Sequence, residues 1–388
     1  MSHSASTKSC VRVTASRYRE LPLPKPTLAT YAHNWGGDAM GGTPTVLSDI
    51  SAEWLSEVLQ TQVTGFTLQV IGAGEGFMGQ LARVSLSGDN VPPSVIVKFP
   101  TSDPGGQVMG EMMGVWNREH RFYTEVASQI EGIKLARCLH SSVDPYALVL
   151  EDLSPARSGD QVAGPTPDQA RIAIDVAATL HSAWFDKPEL HKLDWMPSIS
   201  DPMTATIGTL FPIGWPMFLE RYQDSLPPRV LKWCETFAPM IETWMQKYSN
   251  WPCTLTHGDF RLDNMFFHGD GTMTLIDWQL SMRSPSTTDL VYFLGTNMPT
   301  DLRRTMQEEL IHRYCDKMRA GGVPDQWADY ETIMQGYAEG VLFYCTSFAA
   351  SILSLDTANE RGAALMDSLV RRAFSAADDL NAGDRLGI

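Results

Sequence analysis

The chain of 388 residues carries a formal net charge of −15, and 43% of its residues are hydrophobic. Length and composition are typical of a globular protein with two or three domains. The acidic balance argues against a nucleic-acid partner, and the sequence shows neither an apolar run long enough for a membrane span nor an apolar leader of a secretory signal. Six cysteines without a C-x-x-C pair predict free thiols and a cytoplasmic location.

The first 48 residues are predicted to form an N-terminal extension. Pro22, Pro24 and Pro26 interrupt regular structure there, so we expect an extended arm. After a short helix that begins near residue 49, apolar residues alternate with polar ones, a period that is typical of strands. The predicted strands are 66–71, 81–86 and 94–99.

A glycine-rich segment joins the first two of these strands. It contains the pattern G-x-G-x-x-G, with Gly74 and Gly76 as the first two glycines. In a dinucleotide-binding turn the glycines lead into a helix, whereas here they lead into a strand. The segment is therefore interpreted as a hairpin that lies over the phosphates of a nucleotide. A flexible hairpin loop without a ligand is the alternative.

One lysine and one glutamate interrupt otherwise apolar segments. Lys98 lies in the third strand, and Glu119 falls on the apolar face of a helix predicted from 112 to 126. A carboxylate on an apolar face is costly unless it is paired, so we expect an ion pair with Lys98 that holds nucleotide phosphates. The alternatives are a lysine that reaches water at a sheet edge and a glutamate at the margin of the apolar stripe.

Residues 150–154 follow a buried strand and are interpreted as a hinge between two lobes. Main-chain groups near Glu151 and Leu153 are expected to contact the adenine edge of the nucleotide. Beyond the hinge, a loop-rich stretch is expected at 186–214. Helices are predicted at about 168–184, 215–225, 228–249, 287–298, 301–319, 325–353 and 358–379.

The dipeptide Asp270-Gly271 predicts a β-hairpin. Both residues accept the positive φ of a type I′ turn, and β-prone residues flank them. Strand pairing that is symmetric about this dipeptide places Asn264 directly opposite Asp277. An amide and a carboxylate at the open end of a hairpin make an oxygen-donor site suited to Mg²⁺.

Further polar residues lie just before this hairpin. His257, Asp259 and Asn264 have the order H-x-D-x-x-x-x-N, and Asp277 follows the hairpin. In kinase catalytic loops the first aspartate is the base, and the asparagine and the later aspartate bind the metal. We therefore expect Asp259 to be the catalytic base and Asn264 with Asp277 to be the metal ligands. The alternative is a polar loop that caps a hairpin.

Taken together, these motifs resemble the aminoglycoside phosphotransferase and choline-kinase-like superfamily, and within it the ecdysteroid-kinase-like branch. The motifs that carry the resemblance are Lys98, Arg118-Glu119 with Phe122-Tyr123, Leu150-Glu151-Asp152-Leu153, Leu180-His181, His257-Gly258-Asp259 with Asn264, Ile276-Asp277-Trp278-Gln279 and Thr288-Asp289-Leu290. The resemblance implies an α+β, protein-kinase-like fold with a small antiparallel-sheet N-lobe (49–150) and a large helical C-lobe (151–388). It implies ATP and Mg²⁺ as cofactors, phosphate transfer to a hydroxyl of a small molecule, and a loop-bracing role for Asp289.

The acceptor is expected to bind among residues of the C-lobe. The aromatic residues available there are Trp184, Trp195, Trp215, Phe218, Tyr222, Phe343 and Tyr344. They favour a moderately apolar alcohol, and neighbouring carboxylates leave an aminoglycoside as the alternative. Two other classes remain: a pseudokinase that binds without catalysis, and a metal-dependent phosphohydrolase. The ligands of the phosphohydrolase would be His257, Asp259, Asp277 and Asp289.

Overall fold

The computed structural model describes residues 42–71, 79–354 and 360–388, which lie in one unit that spans Gly37–Ile388. Its first part, the sheet region, contains β1 (Gly65–Ile71), β2 (Gly79–Ser87), β3 (Ser94–Pro100), β4 (Lys134–Leu135), β5 (Cys138–Val143) and β6 (Tyr146–Glu151). Five of these strands form an antiparallel sheet in the order β1-β2-β3-β6-β5.

Three helices accompany this sheet: α1 (Ala52–Leu59), α2 (Pro104–Met113) and α3 (Val115–Arg121), which continues into a π-helical turn at Phe122–Val126. The single helix predicted from 112 to 126 is therefore wrong at its start. Gly114 adopts a left-handed conformation with φ of 64° and ends α2, because glycine has no Cβ to oppose that conformation.

The two faces of β3 have different partners. Val95, Val97 and Phe99 are fully buried in a core that includes Trp54 of α1. Because successive side chains of a strand point to opposite faces, Lys98 lies on the other face. The sheet therefore presents one lysine on the face opposite the α1 core.

The second part, the helical region, contains α4 (Pro167–Trp184), α5 (Pro202–Tyr222), α6 (Pro228–Phe237), α7 (Ile241–Tyr248), α8 (Thr287–Tyr292), α9 (Thr300–Ala320), α10 (Tyr330–Ser351), α11 (Glu360–Asp379) and α12 (Ala382–Leu386). A π-helical turn at Phe293–Asn297 follows α8. Helix α10 is almost entirely buried and packs against α5, α8 and α11. The region therefore has one continuous apolar core around α10.

Two predictions for this region are wrong. The expected loop at 186–214 is helical from residue 202, because α5 continues through Pro212 and Pro216. Phe211 and Trp215 of α5 are buried in the core, and this apolar packing outweighs the lost hydrogen bonds of the prolines. The helix predicted at 228–249 is divided into α6 and α7 by a short 3₁₀ turn that contains Pro239.

Five short strands flank the segments that contain the predicted catalytic and metal-binding residues. These are β7 (Arg157–Ser158), β8 (Thr254–Thr256), β9 (Met265–Phe267), β10 (Met273–Leu275) and β11 (Met282–Ser284). One sheet has the order β4-β10-β9-β7, and β8 pairs with β11. Among the residues that the structure describes, no helix is both long and apolar enough to cross a membrane.

Candidate active site

The sheet region contributes a buried ion pair. Lys98 Nζ of β3 lies 2.7 Å from Glu119 Oε2 of α3, and their side chains are only 7% and 1% exposed. The hydroxyl of Tyr146 on β6 donates to the same Oε2 at 2.8 Å. The structure thus brings together the two residues whose pairing the sequence predicts.

Lys98 also contacts a carboxylate from the other region. Its Nζ lies 2.7 Å from Asp277 Oδ1, so the ammonium bridges Glu119 and Asp277. Burial alone would lower the pKa of Lys98, but Asp277 and Glu119 outweigh it and raise the pKa above its ordinary value. Burial opposes the charge of Asp277 too, yet Lys98 holds the pKa of that carboxyl below its usual range. We call these three residues the ion-paired cluster.

The segment 257–264, which we name the catalytic loop for its predicted role, begins where β8 ends, and Asp289 of α8 holds its first two residues. Asp289 Oδ2 accepts the His257 N–H at 2.7 Å, and Oδ1 accepts the Gly258 N–H at 2.9 Å. His181 of α4 lies 3.1 Å from Oδ2. Gly258 has φ of 79°, and a Cβ there would lie 2.1 Å from the Leu280 carbonyl oxygen, so only glycine fits.

Asp259 lies in the catalytic loop with its side chain 13% exposed. Arg261 Nε donates to Asp259 Oδ2 at 2.9 Å, and Asn264 Nδ2 donates to the same oxygen at 3.0 Å. Asn264 Nδ2 also donates to the Asp259 carbonyl oxygen at 3.0 Å. Both of these donors therefore use Oδ2, and neither uses Oδ1.

The β9–β10 hairpin has a different register from the one predicted. Leu275 pairs with Met265, so Asn264 lies opposite Ile276 and not opposite Asp277. The reason is the turn: Gly271 has φ of 80°, whereas Asp270 does not adopt positive φ. This combination is typical of a three-residue loop with a left-handed final residue, not of a type I′ turn.

Asp277 reaches the site through its own backbone conformation. It follows β10 with φ of 65°, a left-handed conformation that is rare for residues other than glycine. Its neighbour Ile276 donates its N–H to the Asn264 carbonyl oxygen at 3.0 Å, which joins the hairpin to the catalytic loop. Asp277 therefore reaches Lys98 although the predicted register of the β9–β10 hairpin is wrong by one residue.

The donor set fits a magnesium ion that phosphates help to hold. Asn264 uses its Nδ2 for both hydrogen bonds to Asp259, which leaves its Oδ1 for a cation, and Asp277 supplies a carboxylate. Within the described residues, no group of three His, Cys, Asp or Glu side chains could hold a metal ion. Mg²⁺ in nucleotide sites needs only one or two protein ligands because phosphates and water complete its shell.

The same geometry argues against the phosphohydrolase alternative. His257 Nε2 lies 2.9 Å from the Ile276 carbonyl oxygen, and the Asp289 carboxylate serves His257, Gly258 and His181. Two of the four ligands that this alternative needs are therefore engaged in holding the backbone.

Comparison with known proteins identifies the family. The profile of the ecdysteroid kinase-like family matches residues 73–321, well over half of the chain. The chain belongs to the ecdysteroid kinase-like family. Acyl-CoA dehydrogenase family member 11 of Mus musculus is 28% identical over 171 residues, which are 39% of this chain and 20% of that protein. The chain thus spans about a fifth of the length of this curated relative.

Two solved structures show that the fold of this ecdysteroid kinase-like chain is that of small-molecule kinases. Spectinomycin phosphotransferase, solved with ADP and spectinomycin, is 14% identical, with a TM-score of 0.53 over 86% of this chain and 99% of that one. Ethanolamine kinase of Plasmodium vivax is 12% identical, with a TM-score of 0.51 over 84% and 85%. The predicted α+β, kinase-like fold class and the superfamily are confirmed.

The other residues predicted to contact the nucleotide belong to the glycine-rich segment and to the hinge. Gly74 and Gly76 lie outside the described residues. Glu151 donates its N–H to the Arg137 carbonyl oxygen, and its Oε1 accepts the Arg137 N–H, so both groups are engaged. Among the residues that the structure places, none bonds to the Leu153 N–H. The main-chain contact to adenine therefore stays a prediction, for the Glu151 carbonyl group and for Leu153.

The aromatic residues offered for the acceptor lie mostly in the core. Trp184, Trp215, Phe218, Tyr222 and Phe343 are at most 8% exposed. Phe211, Trp215, Phe218 and Tyr222 form a ladder of neighbouring rings along α5. These rings are buried because α5, which begins earlier than the helix predicted at 215–225, is a core helix, so most of the support for an apolar alcohol is lost.

Two site residues have roles that the sequence did not suggest. Arg261, two residues after Asp259, lies among carboxylates, and Asp259 is the main cause that raises the pKa of Arg261. Arg261 is a basic residue inside an acidic motif, and this pattern could have indicated the contact. Tyr146 of β6, which donates to Glu119, gave no such signal because it reads as one apolar residue of a buried strand.

Proposed function

We propose that the protein is a cytoplasmic phosphotransferase that moves the γ-phosphate of ATP, with Mg²⁺, to a hydroxyl of a small molecule. The observation that carries this proposal is the position of Lys98, whose ammonium contacts Glu119 and Asp277 at 2.7 Å each. A lysine held between a helix glutamate and a metal-binding aspartate is the arrangement that kinases use on ATP phosphates. We propose that the sheet and helical regions belong to an N-lobe (49–150) and a C-lobe (151–388).

The nucleotide is held by groups from both regions. Lys98 donates to the phosphates while Glu119 and Tyr146 fix its direction, and we propose Gly74 and Gly76 as further phosphate-binding residues. Asn264 Oδ1 and the Asp277 carboxylate would hold Mg²⁺, which when bound neutralises charge on the transferred phosphate. Leu153 contacts the adenine edge.

The acceptor reacts at Asp259. Arg261 and Asn264 fix Oδ2 of this carboxylate, so Oδ1 accepts the hydrogen bond of the acceptor hydroxyl and orients its oxygen towards the γ-phosphorus. As the new P–O bond forms and the bond to the leaving ADP breaks, Asp259 takes the hydroxyl proton. Positioning and charge neutralisation supply most of the rate in such a transfer.

The test combines thermal shift with an ATP-consumption screen against hydroxylated metabolites and antibiotics. Millimolar Mg·ATP is expected to raise the melting temperature because it binds only the folded state. At least one alcohol is expected to accelerate ATP consumption, and the Asp259→Asn variant serves as the inactive control.

Two outcomes would contradict the proposal in different ways. Tight binding of transition metals without any response to Mg·ATP would favour a phosphohydrolase. A response to Mg·ATP without turnover of any alcohol would favour a pseudokinase that binds without catalysis.

A further inference from the structure

Helix α11 carries a buried arginine that has carbonyl groups as partners. Arg372 is 8% exposed. Its Nη1 donates to the carbonyl oxygens of Gln161 at 2.6 Å and Asn297 at 2.9 Å, and its Nη2 donates to Val162 O at 2.6 Å. Burial lowers the pKa of Arg372, and Asp160 is the charge that opposes this effect. The guanidinium thus joins two chain segments that are far apart in sequence.

The residue type follows from this geometry. A buried cation is costly unless its N–H groups are hydrogen-bonded. The planar guanidinium presents several donors in fixed directions and can reach both segments at once, which a single lysine nitrogen cannot reproduce. Arg372 therefore acts as a cross-link between the segment at 161–162 and the π-helical turn at Phe293–Asn297.

Each of these two segments holds one residue of the catalytic loop. The Gln161 N–H donates to Asp263 Oδ1 at 2.9 Å. The Leu262 N–H donates to Asn297 Oδ1 at 2.9 Å. Residues 262 and 263 lie between the proposed base and the first proposed metal ligand. The two segments thus hold the middle of the loop, and Arg372 holds the two segments against each other.

We propose that Arg372 is a positioning residue for phosphate transfer, because it sets where Asp259 and Asn264 lie relative to each other. The inference rests on the proposed function of these two residues. It goes beyond the family match, because Arg372 lies outside residues 73–321. Helix α11 is then part of the catalytic apparatus although no residue of it needs to touch the substrate.

The neighbouring residue offers a matched control. Arg371 lies on the same helix and carries the same charge, but it is exposed. Arg371→Met and Arg372→Met change the net charge equally and remove the same side-chain type. Arg372→Lys keeps the charge at 372 and loses the planar set of donors.

The first readout is turnover of an alcohol found in the screen. Arg372→Met and Arg372→Lys are each expected to lower kcat roughly tenfold or more, because small displacements of a catalytic group are costly. The KM for ATP is expected to stay within about twofold, since Lys98 and Glu119 are untouched. Arg371→Met is expected to match the wild type. A similar fall in kcat for the Arg371 and the Arg372 variants would overturn the proposal.

The second readout needs no acceptor and separates this inference from the proposed function. In Arg372→Lys, the amides of Leu262 and Gln161 are expected to exchange hydrogen about tenfold faster or more, with the sheet region unchanged. If the wild type turns over no alcohol, the function fails while this readout still decides the positioning role. A lower melting temperature with unchanged exchange at these amides would make Arg372 a packing residue only.

A third variant covers the case in which Arg372→Met does not fold. Asn297→Ala removes the acceptor of the Leu262 N–H and leaves Arg372 in place. It is expected to speed exchange at Leu262 and to lower kcat with little change in the KM for ATP. Unchanged exchange and unchanged kcat in this variant would contradict the path from Arg372 to the loop.

Discussion

The ion-paired cluster and the catalytic loop are both buried, but different contacts hold them. In the cluster, one ammonium contacts two carboxylates at 2.7 Å each. In the loop, side chains from distant helices hold main-chain groups: Asp289 accepts two N–H groups, and Asn297 accepts a third. The ion-paired cluster is therefore held by opposite charges, and the catalytic loop is held through its backbone.

This difference predicts different kinds of failure. Removing the lysine from the cluster leaves two carboxylates without their cation, which lowers the free energy of unfolding. Changing a residue that holds the loop displaces groups that must be aligned, which lowers kcat more than nucleotide affinity. Substitutions in the ion-paired cluster are therefore expected mainly to lower stability and nucleotide binding. Substitutions in the catalytic loop are expected mainly to lower turnover.

The largest effect is expected for Lys98→Met. It leaves Glu119 and Asp277 without their cation, so the free energy of unfolding in urea should fall by about 4 kcal/mol. The matched control is Lys134→Met, whose ion pair with Asp270 is 49% and 59% exposed and should contribute little to stability because water screens it. Equal losses of stability in Lys98→Met and Lys134→Met would mean that burial does not make the ion-paired cluster more important than an exposed ion pair.

Asp259→Asn is expected to show the opposite pattern. The shape and the loop contacts remain, but the proton acceptor is lost, so kcat should fall about 10²-fold or more. The affinity for Mg·ATP, measured by calorimetry, should change little because Lys98, Asn264 and Asp277 are intact. Full activity in this variant would refute Asp259 as the base.

Asp289→Asn is expected to lower stability by about 2 kcal/mol at pH 7, because charge-assisted hydrogen bonds to His257 and Gly258 are lost. Burial would raise the pKa of Asp289, but His181 and these N–H groups outweigh it and lower the pKa. A lowered carboxyl pKa stabilises the fold above the unfolded value of about 4, and this contribution is lost as pH falls further.

Urea unfolding between pH 7 and pH 3 tests this sign. The difference in stability between wild type and Asp289→Asn should be constant above about pH 4 and should shrink below it. A difference that grows on acidification would show that the pKa of Asp289 is raised in the folded protein.

The sequence predicted the parts of the site that depend on residue type and spacing. A single carboxylate on an apolar helix face indicated the partner of Lys98, and the H-x-D-x-x-x-x-N order brought Asp259 and Asn264 together. The hairpin register could not be predicted, because it depends on which turn residue adopts positive φ. Local patterns also gave no sign of the first part of α5, residues 202–214, whose prolines suggested a loop, or of Arg372, whose partners are far away in sequence.

The smallest effect is expected at the hairpin turn. Gly271 has φ of 80°, and no atom lies within 4 Å of where its Cβ would be. Gly271→Ala should therefore lower stability only by the strain of a left-handed residue, about 1 kcal/mol, with kcat unchanged. A large loss of activity would mean that the turn itself contributes to the site.

The most direct test of the central claim is calorimetric titration of Mg·ATP into the wild type and into Asp277→Asn. We expect saturable binding to the wild type and about 10- to 100-fold weaker binding to the variant, because a metal ligand is lost while the fold persists. No heat of binding to the wild type at millimolar Mg·ATP, or equal affinity for both proteins, would contradict the assignment of Asp277 and with it the kinase mechanism.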